Sequence, residues 1–116
     1  IFLFMDLKLK NLLDFVNKKF GKVDVILDFY SMKIVWVSTI FAKNLGYKQN
    51  ELIGEHPKKV LSINYFSVIS AKLGKKKGKY SQELITKSGE KKHCFGSVQQ
   101  FNFEDEPYFV FKMIKS

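Results

Sequence analysis

Ser38-Thr39-Ile40-Phe41-Ala42-Lys43-Asn44-Leu45-Gly46-Tyr47-Lys48-Gln49-Asn50-Glu51-Leu52-Ile53-Gly54 decides the fold, together with the Ile34-Val35-Trp36-Val37 run before it. A β-branched and aromatic run suits a pleated strand. The apolar pair Ile40-Phe41 then leads to a Leu45-Gly46-Tyr47 stop, and Glu51-Leu52-Ile53-Gly54 follows. Glycine after a short apolar run ends a helix well. The stretch therefore predicts a strand passing into two short helices, over 39–46 and 48–53.

Upstream, residues 23–29 alternate around Asp24 and Asp28. They are expected to pair with 33–38 across Tyr30-Ser31-Met32. That turn holds neither Gly nor Asn, so it should be longer than two residues. Still earlier, Phe2, Met5, Leu9, Leu12 and Val16 recur at spacings of three and four, one stripe of a helix of about five turns. Lys18, Lys19 and Gly21 suit its end. The stripe has two readings, packing on its own sheet or pairing two chains. Downstream, Pro57 suits the first turn of a third helix over 57–61. Residues 64–73 read as a further helix, 75–79 as an exposed lysine loop, and 80–87, 91–103 and 107–115 as strands. Ser88-Gly89-Glu90 and Glu104-Asp105-Glu106-Pro107 join those strands, and Pro107 can only begin the last one.

A chain of 116 residues with 46% hydrophobic content fits one domain. Twenty basic against eleven acidic residues give +9, and every basic residue is Lys. The absence of Arg, the bidentate reader of guanine and phosphate, argues against a specific nucleic-acid reader. A lone Cys94 forms no intrachain disulfide and fits a reducing, cytoplasmic setting. The apolar residues 1–5 are interrupted by Asp6, Lys8 and Lys10, well short of the roughly 20 that a membrane span needs. A start without Met suggests a piece of a longer protein.

The 38–54 stretch resembles the PAS domain, a small sensory module, in the offsets of Ile40, Phe41, Gly46, Tyr47, Glu51, Leu52 and Gly54 from Ser38. Ser38 itself departs from the commoner Asn, and the first hairpin lacks the usual Asp-Gly. The resemblance covers residues 23–115. It implies an α+β fold, a five-stranded antiparallel sheet with short helices on one face, and divides the chain into a flanking amphipathic helix (1–21) and the domain proper (22–116). The interior positions it implies are Val25, Leu27, Phe41, Val60, Leu84, Cys94, Gly96, Val98, Phe109, Phe111 and Met113, with Pro57 beside them. These either close into an ordinary core or line a small apolar cavity for an uncharged ligand. Gly96 is notable, since Gly weakens a strand unless something bulky approaches its backbone.

Cofactors of the PAS family are not expected. Pro57 stands where the photoreactive Cys of flavin-binding members would be, and Leu84, Cys94 and Met113 replace amides that would grip the ring. Haem-binding members use a His in the helix before the third strand, and residues 64–73 contain none. His56, at the start of a helix near the pocket rim, stays open as a haem ligand, whereas His93 must face outward if Cys94 faces inward on a strand. That divergence also denies Cys94 a base, so no catalysis and no metal are expected, and Glu104-Asp105-Glu106 reads as a solvated turn. The Lys75–Lys79 run could touch phosphate or anionic lipid, against the plainer reading of a solvated loop.

The resemblance implies a sensory domain cut from a sensor kinase of a two-component system, a cyclic-dinucleotide enzyme or a transcription regulator. It would act through a small apolar ligand or through a homodimer on the Phe2 to Val16 stripe, coupled to an effector domain. The alternatives are a ligand-free dimerisation module and, third, a basic nucleic-acid or membrane-surface binder. The stripe is expected to cover Phe95, Tyr108 and Val110 on the outer face of the sheet of its own or a partner chain. PAS domains commonly end in Asp-Ile-Thr, where this chain has Met113-Ile114-Lys115, so output could pass through the first helix.

Overall fold

The structure, a computed structural model, describes residues 2–61 and 77–114, with side chains given for 7–61 and 81–114. The helix expected over 64–73 and the lysines at 75 and 76 lie outside the described residues. In chain order the elements are α1 (Phe2–Phe20), β1 (Val25–Asp28), β2 (Ile34–Val37), α2 (Thr39–Asn44), α3 (Gln49–Leu52), β3 (Lys77–Ile85), β4 (Lys91–Phe103) and β5 (Glu106–Ile114). All pairings are antiparallel, in the order β2-β1-β5-β4-β3. The expected α+β architecture is the one observed.

The deciding stretch folds as read, with shorter helices. Ser38 caps α2, its Oγ accepting the Phe41 amide at 3.1 Å, which is the work an Asn would do there. Gly46 takes φ +85° just past α2, where a Cβ would stand 3.4 Å from that of Lys87. Glu51 accepts the Lys48 amide at 2.9 Å through one carboxylate oxygen and pairs with Lys87 at 2.7 Å through the other. The start of α3 is thereby tied to the β3–β4 hairpin.

The β1–β2 turn is indeed long. Asp28 Oδ2 accepts the amides of Tyr30 (3.1 Å) and Ser31 (2.7 Å), and Met32 sits at φ +64° with its amide on the Asp28 carbonyl at 2.9 Å. An aspartate-centred turn thus substitutes for glycine.

Three expectations are corrected. The third helix is a single 3-10 turn, Pro57–Lys59, because the Val60 carbonyl goes to the Ile85 amide at 2.7 Å and Leu61 bridges to Leu84. The lysine loop expected over 75–79 is strand from Lys77 onward, since Lys77, Gly78 and Lys79 pair with Gln99, Val98 and Ser97. The last strand begins one residue early, at Glu106. Pro107 is tolerated inside it near the end of β1, where its carbonyl still accepts the Phe29 amide at 3.2 Å.

Each face of the sheet carries its own core. The inner face packs Val25, Leu27, Val98, Phe109 and Phe111 against Phe41, Ala42, Leu45, Leu52 and Val60. The outer face packs Ile26, Phe101, Tyr108 and Val110 against Leu12 and Val16 of α1, with Leu13, Phe15, Phe20 and Trp36 around them. Alternation along β1 explains the division, Val25 and Leu27 pointing one way and Ile26 the other. Ring contacts of Phe15 with Phe101 (6.0 Å) and Phe103 (5.1 Å), and of Phe20 with Phe101 (5.3 Å), pin the helix.

The stripe therefore covers Tyr108 and Val110 of its own chain. Phe95 is left 39% exposed, because α1 ends over the other half of β4. Leu9 is half-buried, and the side chains of Phe2 and Met5 are outside those described. Leu12 and Val16, expected as dimer contacts, are occupied within the chain.

Candidate functional site

A cavity of about 40 Å³ lies on the inner face between the sheet and the short helices. Val25, Leu27, Phe41, Pro57, Val60, Leu84, Val98, Phe109 and Phe111 line it, as do Ile34, Val37, Leu52, Leu61 and Gln82. The first nine were named from sequence. The cross-strand neighbours Val25, Phe111 and Val98 form one row of its wall over three strands.

Of the other residues implied as interior, Cys94 is buried in the same core and Met113 packs against it, but neither reaches the cavity. Gly96 does not line it for a specific reason. A Cβ there would stand 2.5 and 2.6 Å from Cε1 and Cζ of Phe111, so the bulky group against the β4 backbone is a ring of the protein itself. That ring also meets Phe41 edge-on at 6.1 Å.

Sequence reasoning missed five lining residues. Leu52 was legible as the buried member of Glu51-Leu52-Ile53-Gly54. Ile34 and Val37 face inward because of a register irregularity between Ile26 and Leu27, which the sequence does not announce. Gln82 is 6% exposed; it shares the inward face of β3 with Leu84, and nothing in its type marks it as interior. No buried side-chain polar atom among the described residues lacks a hydrogen-bond partner.

Among the described residues, Cys94 and the two histidines near this core do not face one another. Cys94 is buried while His93 is exposed, as their adjacency on a strand requires. Burial, with the Asp24 charge second, pushes the Cys94 thiol up from its ordinary value, away from the nucleophilic thiolate. His56 caps the 3-10 turn, its Nδ1 accepting the Lys58 amide at 3.3 Å, and burial lowers its pKa. No group of three or more His, Cys, Asp or Glu among the described residues is placed to hold a metal.

Asp24 was not singled out from sequence, yet it closes the base of the last strand. The β1–β5 ladder starts at Val25 and Phe111. Beyond it, Asp24 Oδ2 takes the Met113 amide at 2.5 Å. One residue earlier, Lys112 Nζ donates to the Phe20 carbonyl at 2.8 Å, capping the C-terminus of α1. The end of β5 is thus tied to β1 by a carboxylate and to α1 by a lysine. Burial raises the Asp24 pKa against the lowering influence of the Met113 amide and the Lys112 charge.

No protein-family model and no curated protein matches the sequence. Solved structures do. The PAS domain of an HTR-like protein from Haloarcula marismortui has 19% identity and a TM-score of 0.67, over 92% of this chain and 93% of that one. A PAS domain from a two-component sensor histidine kinase has 10% identity and a TM-score of 0.66, over 95% and 99%. The PAS domain of nitrogen regulation protein NR(II) from Vibrio parahaemolyticus has 9% identity and a TM-score of 0.64, over 79% and 86%. The fold of this chain is the PAS fold.

Proposed function

We propose that the chain is a sensory signalling domain of a larger protein, in which the state of the inner cavity is passed to an effector through β5 and α1. The observation that carries this reading is the double role of β5. Phe109 and Phe111 wall the cavity, and the next two residues, Lys112 and Met113, hold α1 and Asp24. The likeness to PAS domains of a sensor histidine kinase and of NR(II) supports it. The parent would be a sensor kinase, a cyclic-dinucleotide enzyme or a transcription regulator, and the domain binds rather than catalyses.

Hydrogen exchange with the cavity filled by Val98→Ile tests this reading. Protection should change at Met113 and over the last turn of α1, beyond the uniform change that altered stability brings. A change confined to the cavity wall would remove the sensory reading.

A ligand-free dimerisation module is the second reading. It is favoured by Leu7, 54% exposed on α1, since Leu12 and Val16 are already covered. Light scattering decides whether two chains associate. The basic-surface reading has less support: the described lysines are spread over α1 and the turn after it, the β1–β2 turn, the stretch from α2 to the 3-10 turn, the β3–β4 hairpin and β5. Lys59 and Lys87, which both approach the Tyr47 ring, already pair with Glu55 and Glu51. No helix of the described residues is long and apolar enough to cross a membrane.

A further inference from the structure

We propose that the inner cavity is a site for a wholly apolar molecule of one to three heavy atoms, such as a dissolved gas or a two-carbon hydrocarbon. The inference rests on the sensory reading of the same cavity and narrows it.

Size gives the first limit. The cavity holds about 40 Å³, whereas a single water needs roughly 10–15 Å³ and a cavity that takes benzene measures roughly 150 Å³. Ordinary ligand pockets run from about 300 Å³ upward. A six-membered ring is therefore too large, and flavin or haem far too large.

Polarity gives the second limit. The wall is built from side chains such as Val25, Leu52, Val60, Val98 and Phe111, and Gln82 is its one polar member among the described residues. The protein already engages Gln82, and no buried side-chain polar atom among the described residues lacks a partner. A buried water needs two to four polar partners, and among the described residues this wall has no unmet side-chain donor or acceptor to supply them. The cavity is dry. Its lining atoms lack dispersion contacts on one side, and an apolar guest restores them with no polar group to desolvate. A guest carrying a hydroxyl or a charge would lose its water without replacement.

The test uses the full chain with methyl-labelled Val and Leu, titrated separately with xenon, ethane, ethanol and benzene, reading the methyls of Val25, Leu52, Val60 and Val98 by NMR. Xenon and ethane should shift these methyls saturably, while ethanol and benzene leave them unmoved at tenfold higher concentration. Val98→Ile, with Val60→Ile as a second variant should the first misfold, should cut the xenon shifts at least fivefold and leave the methyls of Val23 and Val110 on the outer face in place. Benzene binding at the same methyls would overturn the size limit, and ethanol binding as tightly as ethane would overturn the polarity limit; either result leaves the cavity a ligand site. Silence from every probe would overturn the site itself, and the ligand part of the sensory reading with it.

Discussion

Asp24 carries an unfavourable interaction that the fold retains. Its carboxylate holds the Met113 amide, yet desolvation outweighs that bond and the Lys112 charge, so its pKa in the folded chain lies above the ordinary 3.8. A carboxyl raised on folding adds stability that is fully present below its unfolded value and is lost as pH rises through the folded one. Asp24→Asn keeps an oxygen for the Met113 amide and removes the charge. The variant should be more stable than the wild type at pH 7, and the gap should close below pH 3.8. Urea midpoints of both proteins across that range measure it, and a gap independent of pH would refute the assignment. Sequence showed little of this, because an acid among Val23, Val25 and Leu27 reads as an ordinary solvent-facing strand position. Gly96 was legible as a place where the backbone is approached, while the identity of the approaching group, Phe111, needed the sheet register.

At the level of elements, the short helices, β4 and the long first turn were readable because their signals are local: caps, glycine stops, alternation. β3 was read as starting three residues late, since a run of lysines and a glycine has little strand propensity, and pairing with β4 supplied what propensity did not. The β4–β5 connection was read as a solvated acidic turn, which left its backbone angles open. It is a two-residue connection, with Glu104 at φ +50° and Asp105 at φ +63° closed by the Phe103–Glu106 pair. Both signs are those of a type I′ turn, which prefers Asn-Gly. A non-glycine residue in the left-handed region costs about 1–2 kcal/mol. A new glycine returns about 0.4–1 kcal/mol of that as unfolded-state entropy. Asp105→Gly should therefore stabilise the protein by about 0.5–1 kcal/mol, a melting point higher by about 2–5 °C. A lower melting point would mean that the Asp105 side chain supports the turn in a way its backbone angle does not reveal.

Over the whole molecule, one sheet serves two cores, and β1 and β5 belong to both: Val25, Leu27, Phe109 and Phe111 inward, Ile26, Tyr108 and Val110 outward. The periodicity of the first helix foretold a buried stripe but left open whose surface would bury it, because a stripe of two heptads fits a sheet or a second helix equally well. The aromatic cluster that decides the matter joins Phe15 and Phe20 to Phe101, Phe103 and Tyr108, residues some eighty positions apart in sequence. Shared strands predict that α1 unfolds with the sheet as one cooperative unit. Phe101 is buried at the centre of that cluster, so Phe101→Ala should cost about 3–5 kcal/mol. Trp36 packs at the edge of the same outer core, so its fluorescence reports docking of the helix while far-UV circular dichroism reports the helix and sheet together. In urea the two signals should fall together in the variant as in the wild type, with only the midpoint lowered. A Trp36 transition that precedes the dichroism would show that α1 leaves the sheet on its own, and would make undocking of the helix a motion separate from the sheet.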